Sequence, residues 1–216
     1  APSAFPFDAE GGLNRNLDRY LHAALAKSTF GVSPAALALA YQDWLQHLAG
    51  APGKQSELLT KASHKWQRLA RYAVQAGVNP QCDKAIEPLP FDQRFLADAW
   101  KQWPFNLISQ SFLLTQQWWY AATNGVAGVS PHHEAVVSFV TRQWLDMMSP
   151  SNVPFLNPEV WQRTVESGGE NLKQGFANWL EDVEHMTRHL PPVGAEPFRP
   201  GEHVAVTPGK VVFRNR

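Results

Sequence analysis

Apolar residues recur along this chain at spacings of three and four, the period of an amphipathic helix. Leu13, Leu17, Tyr20, Leu21, Ala24 and Leu25 predict a first helix, ended by Gly31. Ser33-Pro34 supplies a capping hydroxyl and a first-turn proline, and Leu37, Tyr41, Trp44, Leu45 and Leu48 then stripe a second helix. Gly50-Ala-Pro-Gly stops it. Leu58, Leu59, Ala62, Trp66, Leu69 and Ala73 define a third, closed by Gly77 and Pro80.

Residues 77–91 hold Gly77, Pro80, Pro88 and Pro90 with little periodicity, and read as a linker between two helical subregions. Beyond it, Asp92 is placed to cap a short helix carrying Phe95, Leu96 and Ala99. Pro104 precedes a longer helix with Ile108, Phe112, Thr115 and Trp119 on one stripe and Leu107, Leu114 and Trp118 on another. So wide an apolar arc implies deep burial or a partner, which makes Phe112, Trp118 and Trp119 interface candidates as well as core candidates. Asn124-Gly125 and Gly128 form a loop. Ser130-Pro131 opens a helix with Val137, Val140, Trp144, Leu145 and Met148 at core spacing.

The last third, 149–216, changes character. Ser149, Pro150, Ser151 and Asn152 stop the preceding pattern, and Asn157, Pro158 and Glu159 start the next helix through a cap, a donor-free first turn and an acid at the positive helix end. Glu166, Ser167, Gly168, Gly169, Glu170 and Asn171 interrupt and restart it, leading to the Leu172, Phe176, Trp179, Leu180, Val183 stripe. Pro191-Pro192 ends that helix, and 191–203 is a proline-rich connector. The β-rich runs 204–206 and 211–213 flank Thr207, Pro208 and Gly209, which suit a type II turn. A strand that begins where the sequence stops suggests a chain cut short before its next domain.

These elements predict a mainly α fold of six to eight helices with a short β element at the C-terminal end. The expected organisation is an arm over 1–12, a helical module over 13–76, the linker over 77–91, a second helical domain over 92–190, the connector over 191–203 and a β junction over 204–216.

Composition narrows the function. A chain of 216 residues can bury roughly 70% of its unfolded surface, enough for a core. Nineteen basic and nineteen acidic side chains cancel, leaving no footprint for nucleic acid and no polybasic membrane signal. No apolar run is long enough for a transmembrane segment. Nine Trp and twelve Phe against only 18% charged residues is a heavy aromatic load, of the kind found in cores and interfaces. One Cys excludes an internal disulfide and fits a reducing compartment.

The candidate chemistry is thin. Cys82 sits in a turn-rich segment with no base or oxyanion site nearby in sequence, and reads as a spectator thiol. His132 and His133 are adjacent and point about 100° apart on a helix, unlike a zinc pair at i, i+4. His185 and His189 do stand at i, i+4 but lack a third ligand, so with Glu181, Asp182 and Glu184 they read as a solvated charged face. No catalytic, metal-binding or cofactor-binding residue is assigned.

Three stretches nevertheless resemble one family. Phe91-Asp-Gln-Arg-Phe-Leu-Ala-Asp-Ala-Trp with the following Trp-Pro-Phe and Phe-Leu-Leu-Thr-Gln-Gln-Trp is the first. Thr141-Arg-Gln-Trp-Leu-Asp-Met-Met-Ser-Pro-Ser-Asn, Leu-Asn-Pro-Glu-Val and Glu166-Ser-Gly-Gly-Glu-Asn-Leu-Lys-Gln-Gly make up the second. Val206-Thr-Pro-Gly-Lys-Val-Val-Phe-Arg-Asn is the third. They resemble the N-terminal region of polyhydroxyalkanoate synthases, and residues 17–59 resemble a short module that precedes it in some of them. Trp103-Pro104 departs slightly from the family's commoner Asn-Pro.

The resemblance implies a parent acyltransferase that polymerises (R)-3-hydroxyacyl-CoA through a Cys thiol with release of CoA. Its Gly-x-Cys-x-Gly elbow, His and Asp would lie on an α/β-hydrolase domain, and neither that elbow nor Gly-x-Ser-x-Gly occurs in this sequence. The implied role is a non-catalytic helical region that docks the catalytic domain of the same chain and supports dimerisation. It would also attach the enzyme to granule-associated proteins or the polyester surface, in the cytoplasm at polyhydroxyalkanoate granules. Capping and chain reversal are the first role of the 149–152 and 166–171 motifs, with docking as a consequence. A reading of another class remains open, a free-standing helical module that binds acyl or lipid-like ligands.

Overall fold

The computed structural model describes residues 9–29, 32–79, 82–188, 190–195, 197–199, 201–204 and 206. Seven α-helices occur among them: α1 (Ala9–Ser28), α2 (Pro34–Ala49), α3 (Pro52–Val78), α4 (Phe105–Thr123), α5 (Pro131–Met147), α6 (Pro158–Glu166) and α7 (Glu170–Thr187). Two 3-10 turns, Asp98–Lys101 and Pro150–Asn152, complete the regular structure, and no strand is present among the described residues. The fold is mainly α, as the periodicity predicts. The expected β element falls on 204–216, of which only Val204 and Val206 are described.

Helix starts follow local chemistry. Ser33 Oγ accepts from the Ala36 amide, and Ser130 Oγ from the His133 amide, each just before a first-turn proline. α1 begins at Ala9, so helix reaches into the segment expected to be an arm.

The chain divides into two compact units, the first ending at Asn157 and the second starting at Pro158. In the first unit α4 packs between α3 and α5, and α2 lies across α5 and α3. The helices before and after 77–91 therefore share one unit. Gln110 helps to hold that connection, because its buried side-chain oxygen accepts from the Ile86 amide at 2.7 Å. The core is built from Ala40, Leu58, Tyr72, Ala76, Trp100, Leu113, Leu114, Ala122, Val126 and Val137.

Two expectations are corrected here. Leu45, Leu59 and Trp66 stand exposed rather than in the core, Leu59 and Trp66 at 73% and 72%. The apolar pattern of α3 covers two adjacent rows, and α4 covers only the row through Leu58, Tyr72 and Ala76. The second correction concerns the helix predicted after Asp92. Its carboxylate is taken by the Arg94 guanidinium, and the chain forms turns and the 98–101 3-10 turn instead. Phe95 still turns inward, edge-on to Trp100 at 4.8 Å.

The second unit contains α6 and α7 packed on each other. Gly168 and Gly169 reverse the chain between them at φ +60° and +91°, a left-handed path that glycine adopts without the Cβ penalty.

Candidate functional site

The family-like motif 149–157 is a small polar knot at the end of α5. Ser149 is fully buried, and its hydroxyl shares a 2.9 Å hydrogen bond with Ser151. Asn152 Nδ2 donates to the Asp146 carbonyl at 2.8 Å, satisfying a group that a helix end leaves without an intrahelical donor. Asn157 Nδ2 donates to the Ser151 carbonyl at 2.8 Å. Pro150 and Pro158 are buried, while Glu159 is exposed in the first turn of α6.

In the second unit the 166–171 motif is likewise self-satisfied. Ser167 Oγ donates to Asn171 Oδ1 at 3.0 Å, and Asn171 Nδ2 donates to Thr164 Oγ1 at 3.0 Å. Glu170 stands exposed at the start of α7 and pairs with Lys173. Thr207, Pro208 and Gly209 lie outside the described residues.

The interface candidates on α4 are half-buried. Phe112 meets Phe95 edge-on at 5.9 Å and carries the Arg94 guanidinium 5.1 Å above its ring. Trp118 and Trp119 meet at 5.3 Å, and Trp118 Nε1 donates to the Leu58 carbonyl at 3.0 Å.

Two polar nodes were not foreseen from sequence, because their members lie far apart along the chain. At the first, Arg94 donates to both Asp92 oxygens at 2.9 and 2.7 Å and to Asp146 Oδ1 at 2.9 Å. Gln116 Nε2 donates to the same Asp146 oxygen at 3.0 Å. The hydrogen bonds from Arg94 hold the Asp92 carboxyl below its ordinary range, against the opposing effect of burial. At the second node, Asp43 on α2 accepts from His133 Nδ1 at 2.6 Å and from the Ser130 amide at 3.2 Å, and His47 Nδ1 lies 3.0 Å from its other oxygen. The hydrogen bond from His133 is the main cause that lowers the Asp43 carboxyl. This joint fastens α2 to the start of α5.

Both nodes set an acid limit. Carboxyls depressed in the folded state contribute stability above the unfolded value of about 4, and lose it as pH falls through the folded value. The melting temperature is expected to fall as pH drops below about 4. Asp92→Asn should flatten that acid limb more than Asp98→Asn. The Asp92 side chain is 7% exposed, and Asp98 is solvated. Thermal melts by circular dichroism between pH 3 and 7 read the difference.

Gly128 is tied to the second node. It sits at φ +94°, and a Cβ there would stand 2.2 Å from His47 Cδ2. Gly128→Ala is expected to cost about 1–2 kcal/mol from the backbone alone, and to displace the His47 ring from Asp43. The melting temperature should fall by a few degrees, and the His47 ring-proton chemical shifts should move.

The chemical candidates stay dispersed. Cys82 is half-buried, with its amide on the Asn79 carbonyl. His132 and His133 rings are 5.9 Å apart, but only His133 meets Asp43. His185 Nδ1 donates to the Pro191 carbonyl, and His189 lies outside the described residues. Among the described residues no group of three or more His, Cys, Asp or Glu side chains could hold a metal ion, and no helix is long and apolar enough to cross a membrane.

What the structure does offer is unburied apolar surface. α7 buries no residue, and Leu172, Phe176, Trp179 and Leu180 are all exposed on it, with Phe176 stacked on Trp179 at 5.8 Å.

Comparison with known proteins matches two stretches of the sequence. Residues 91–216 match the family described as poly-beta-hydroxybutyrate polymerase (PhaC) N-terminus, and residues 13–54 match poly-beta-hydroxybutyrate polymerase N terminal. The chain is similar to the poly(3-hydroxyalkanoate) polymerase of Methylorubrum extorquens, 33% identical over 177 residues that make up 81% of this chain and 29% of the relative. It is similar also to the poly(3-hydroxyalkanoate) polymerase subunit PhaC of Cupriavidus necator, 35% identical over 163 residues, or 74% of this chain and 25% of the relative. A third relative, the PhaC subunit of Rhizobium meliloti (strain 1021), is 30% identical over 179 residues, or 80% of this chain and 28% of the relative. The chain thus spans about a quarter to three tenths of the length of these relatives. No solved structure matches it. On the match to residues 91–216, which is more than half of the sequence, the chain belongs to the poly-beta-hydroxybutyrate polymerase family and represents its N-terminal region.

Proposed function

We propose that this chain is the non-catalytic helical part of a poly(3-hydroxyalkanoate) polymerase. The parent enzyme polymerises (R)-3-hydroxyacyl-CoA into polyester with release of CoA, using an α/β-hydrolase domain of the same chain. The helical region docks that domain through the 149–159 and 166–171 motifs. It also supports self-association and holds the enzyme at polyester granules in the cytoplasm, through granule proteins or the polymer surface.

One observation carries the reading: the exposed apolar face of α7, Leu172, Phe176, Trp179 and Leu180. An exposed apolar face of that kind marks a contact surface for another molecule. The four side chains are about half exposed, so covering them removes their remaining apolar area from water, at about 25 cal/mol per Å² before the cost of association.

The test uses the full-length enzyme. Removing residues 1–203 is expected to lengthen the polymerisation lag, weaken dimerisation and release the enzyme from granules. The double change Phe176→Glu and Leu180→Glu should reproduce at least one of these losses while the helical circular dichroism is kept. Deletion that leaves all three properties unchanged overturns the proposal.

A further inference from the structure

A groove of about 260 Å³ runs between α3 and α4 in the first unit, lined by Ala62, Trp66, Leu69, Leu114 and Trp118 among others. Its hydroxyls are internally engaged: Ser111 Oγ donates to the Ile108 carbonyl at 2.8 Å, and Thr115 Oγ1 to the Ser111 carbonyl at 2.8 Å. The Trp118 indole is committed to the Leu58 carbonyl. With their hydroxyl protons engaged, the walls present mainly hydrocarbon and aromatic faces. The volume lies a little below the roughly 300–1,000 Å³ of ordinary small-molecule sites, so any occupant is small.

The rim carries the second half of the argument. Lys65 lines the groove, and its ammonium has a neutral partner, Gln117 Oε1 at 2.6 Å. Partial burial lowers its pKa, and Arg68 and Lys61 lower it further. Among the described residues neither Lys65 nor Arg68 makes an ion pair, and Glu57, the single acid of α3, is already shared by Lys54 and Lys61. The opposite wall, α4, contains no charged residue. A partly desolvated cation beside apolar walls, with positive neighbours and no carboxylate ion-paired to it, suits an anion brought in with a hydrocarbon tail.

We propose that this groove binds a single-chain anionic amphiphile of the fatty-acid type, its tail on Trp66, Leu69, Leu114 and Trp118 and its head on Lys65 and Arg68. The site is independent of the α7 face and stands or falls separately from the tethering reading.

The experiment is calorimetric titration of the 216-residue chain with dodecanoate below its micelle-forming concentration, followed also by the indole proton signals of Trp66 and Trp118. Saturable one-to-one binding with a negative heat-capacity change is expected, and dodecyltrimethylammonium should bind at least tenfold more weakly. Lys65→Glu combined with Arg68→Glu should reverse that preference. Ala62→Trp, which fills the groove, should weaken dodecanoate at least tenfold. Thr115→Trp does the same from the exposed opposite wall, and serves if Ala62→Trp perturbs folding. No saturable binding, undiminished binding in both tryptophan variants, or an unreversed preference overturns the proposal. Concentration-dependent self-association that the tryptophan variants abolish, without dodecanoate binding, would assign the groove to a second copy and equally overturn it.

Discussion

Trp100→Ala is expected to be the most damaging single change in the first unit, lowering stability by about 3–5 kcal/mol. Trp100 is 2% exposed, the largest fully buried side chain in the structure. It stands edge-on to Phe95 at 4.8 Å and to Phe105 at 6.3 Å, so its removal leaves two rings facing a void. Such paired aromatics contribute about 0.5–1.5 kcal/mol beyond the area they bury. The 98–101 turn that carries Trp100 lies against α4. Loss of the indole should therefore loosen the approach to α4 as well as the core. Urea denaturation of Trp100→Ala and Trp100→Phe reads the effect, and phenylalanine should recover roughly half of the loss because it restores one ring of the edge-to-face set. Equal stability of the alanine variant and the parent would disprove this account of the core.

Arg94→Ala should follow, at about 2–4 kcal/mol, nearer the upper end at neutral pH. The guanidinium joins Asp92 to Asp146 while lying 5.6 and 5.1 Å from the ring centres of Phe95 and Phe112. Its removal strands the nearly buried Asp92 carboxylate, and that stranded charge is the larger part of the expected cost. The sign with pH follows directly. Without Arg94, Asp92 loses the hydrogen bonds that lowered its pKa. Burial then raises the Asp92 pKa, protonation relieves the buried charge, and the gap between variant and parent should narrow as pH falls from above about 4 to below it. Arg94→Lys should not rescue fully, since an ammonium cannot reproduce the forked contact to both Asp92 oxygens. A full rescue by lysine would place the effect in charge alone.

These two sites show what a one-dimensional pattern can and cannot carry. Helix starts at Ser33 and Ser130, and the glycine reversal at Gly168 and Gly169, were legible because a cap or a left-handed turn is decided by neighbours in sequence. The family motifs at 149–157 and 166–171 were legible as polar caps and chain reversals, though not the hydrogen bonds by which each satisfies itself. The Arg94 node was hidden because Asp146 is fifty-two positions away, and the Asp43–His133 pair because its members are ninety apart. The exposure of Trp66 and Leu59 had a different cause. Their stripe is genuine, but periodicity tells only that a face is apolar and says nothing about whether a neighbour arrives to cover it. The α3/α4 groove was invisible for a related reason: its lining comes from two helices together, and no periodicity within one helix tells how closely the other approaches.

The nine tryptophans range from sealed through half-buried (Trp44, Trp118 and Trp119) to wet, and this has an optical consequence. Trp100 is sealed from water, whereas Trp66, Trp103, Trp144, Trp161 and Trp179 are already wet in the native chain. Native emission should be centred towards the red, with most of the light accessible to acrylamide. A melt followed by wavelength alone would register a small displacement and understate a cooperative transition, so the quench-resistant fraction from Trp100 is the signal that reports loss of the core.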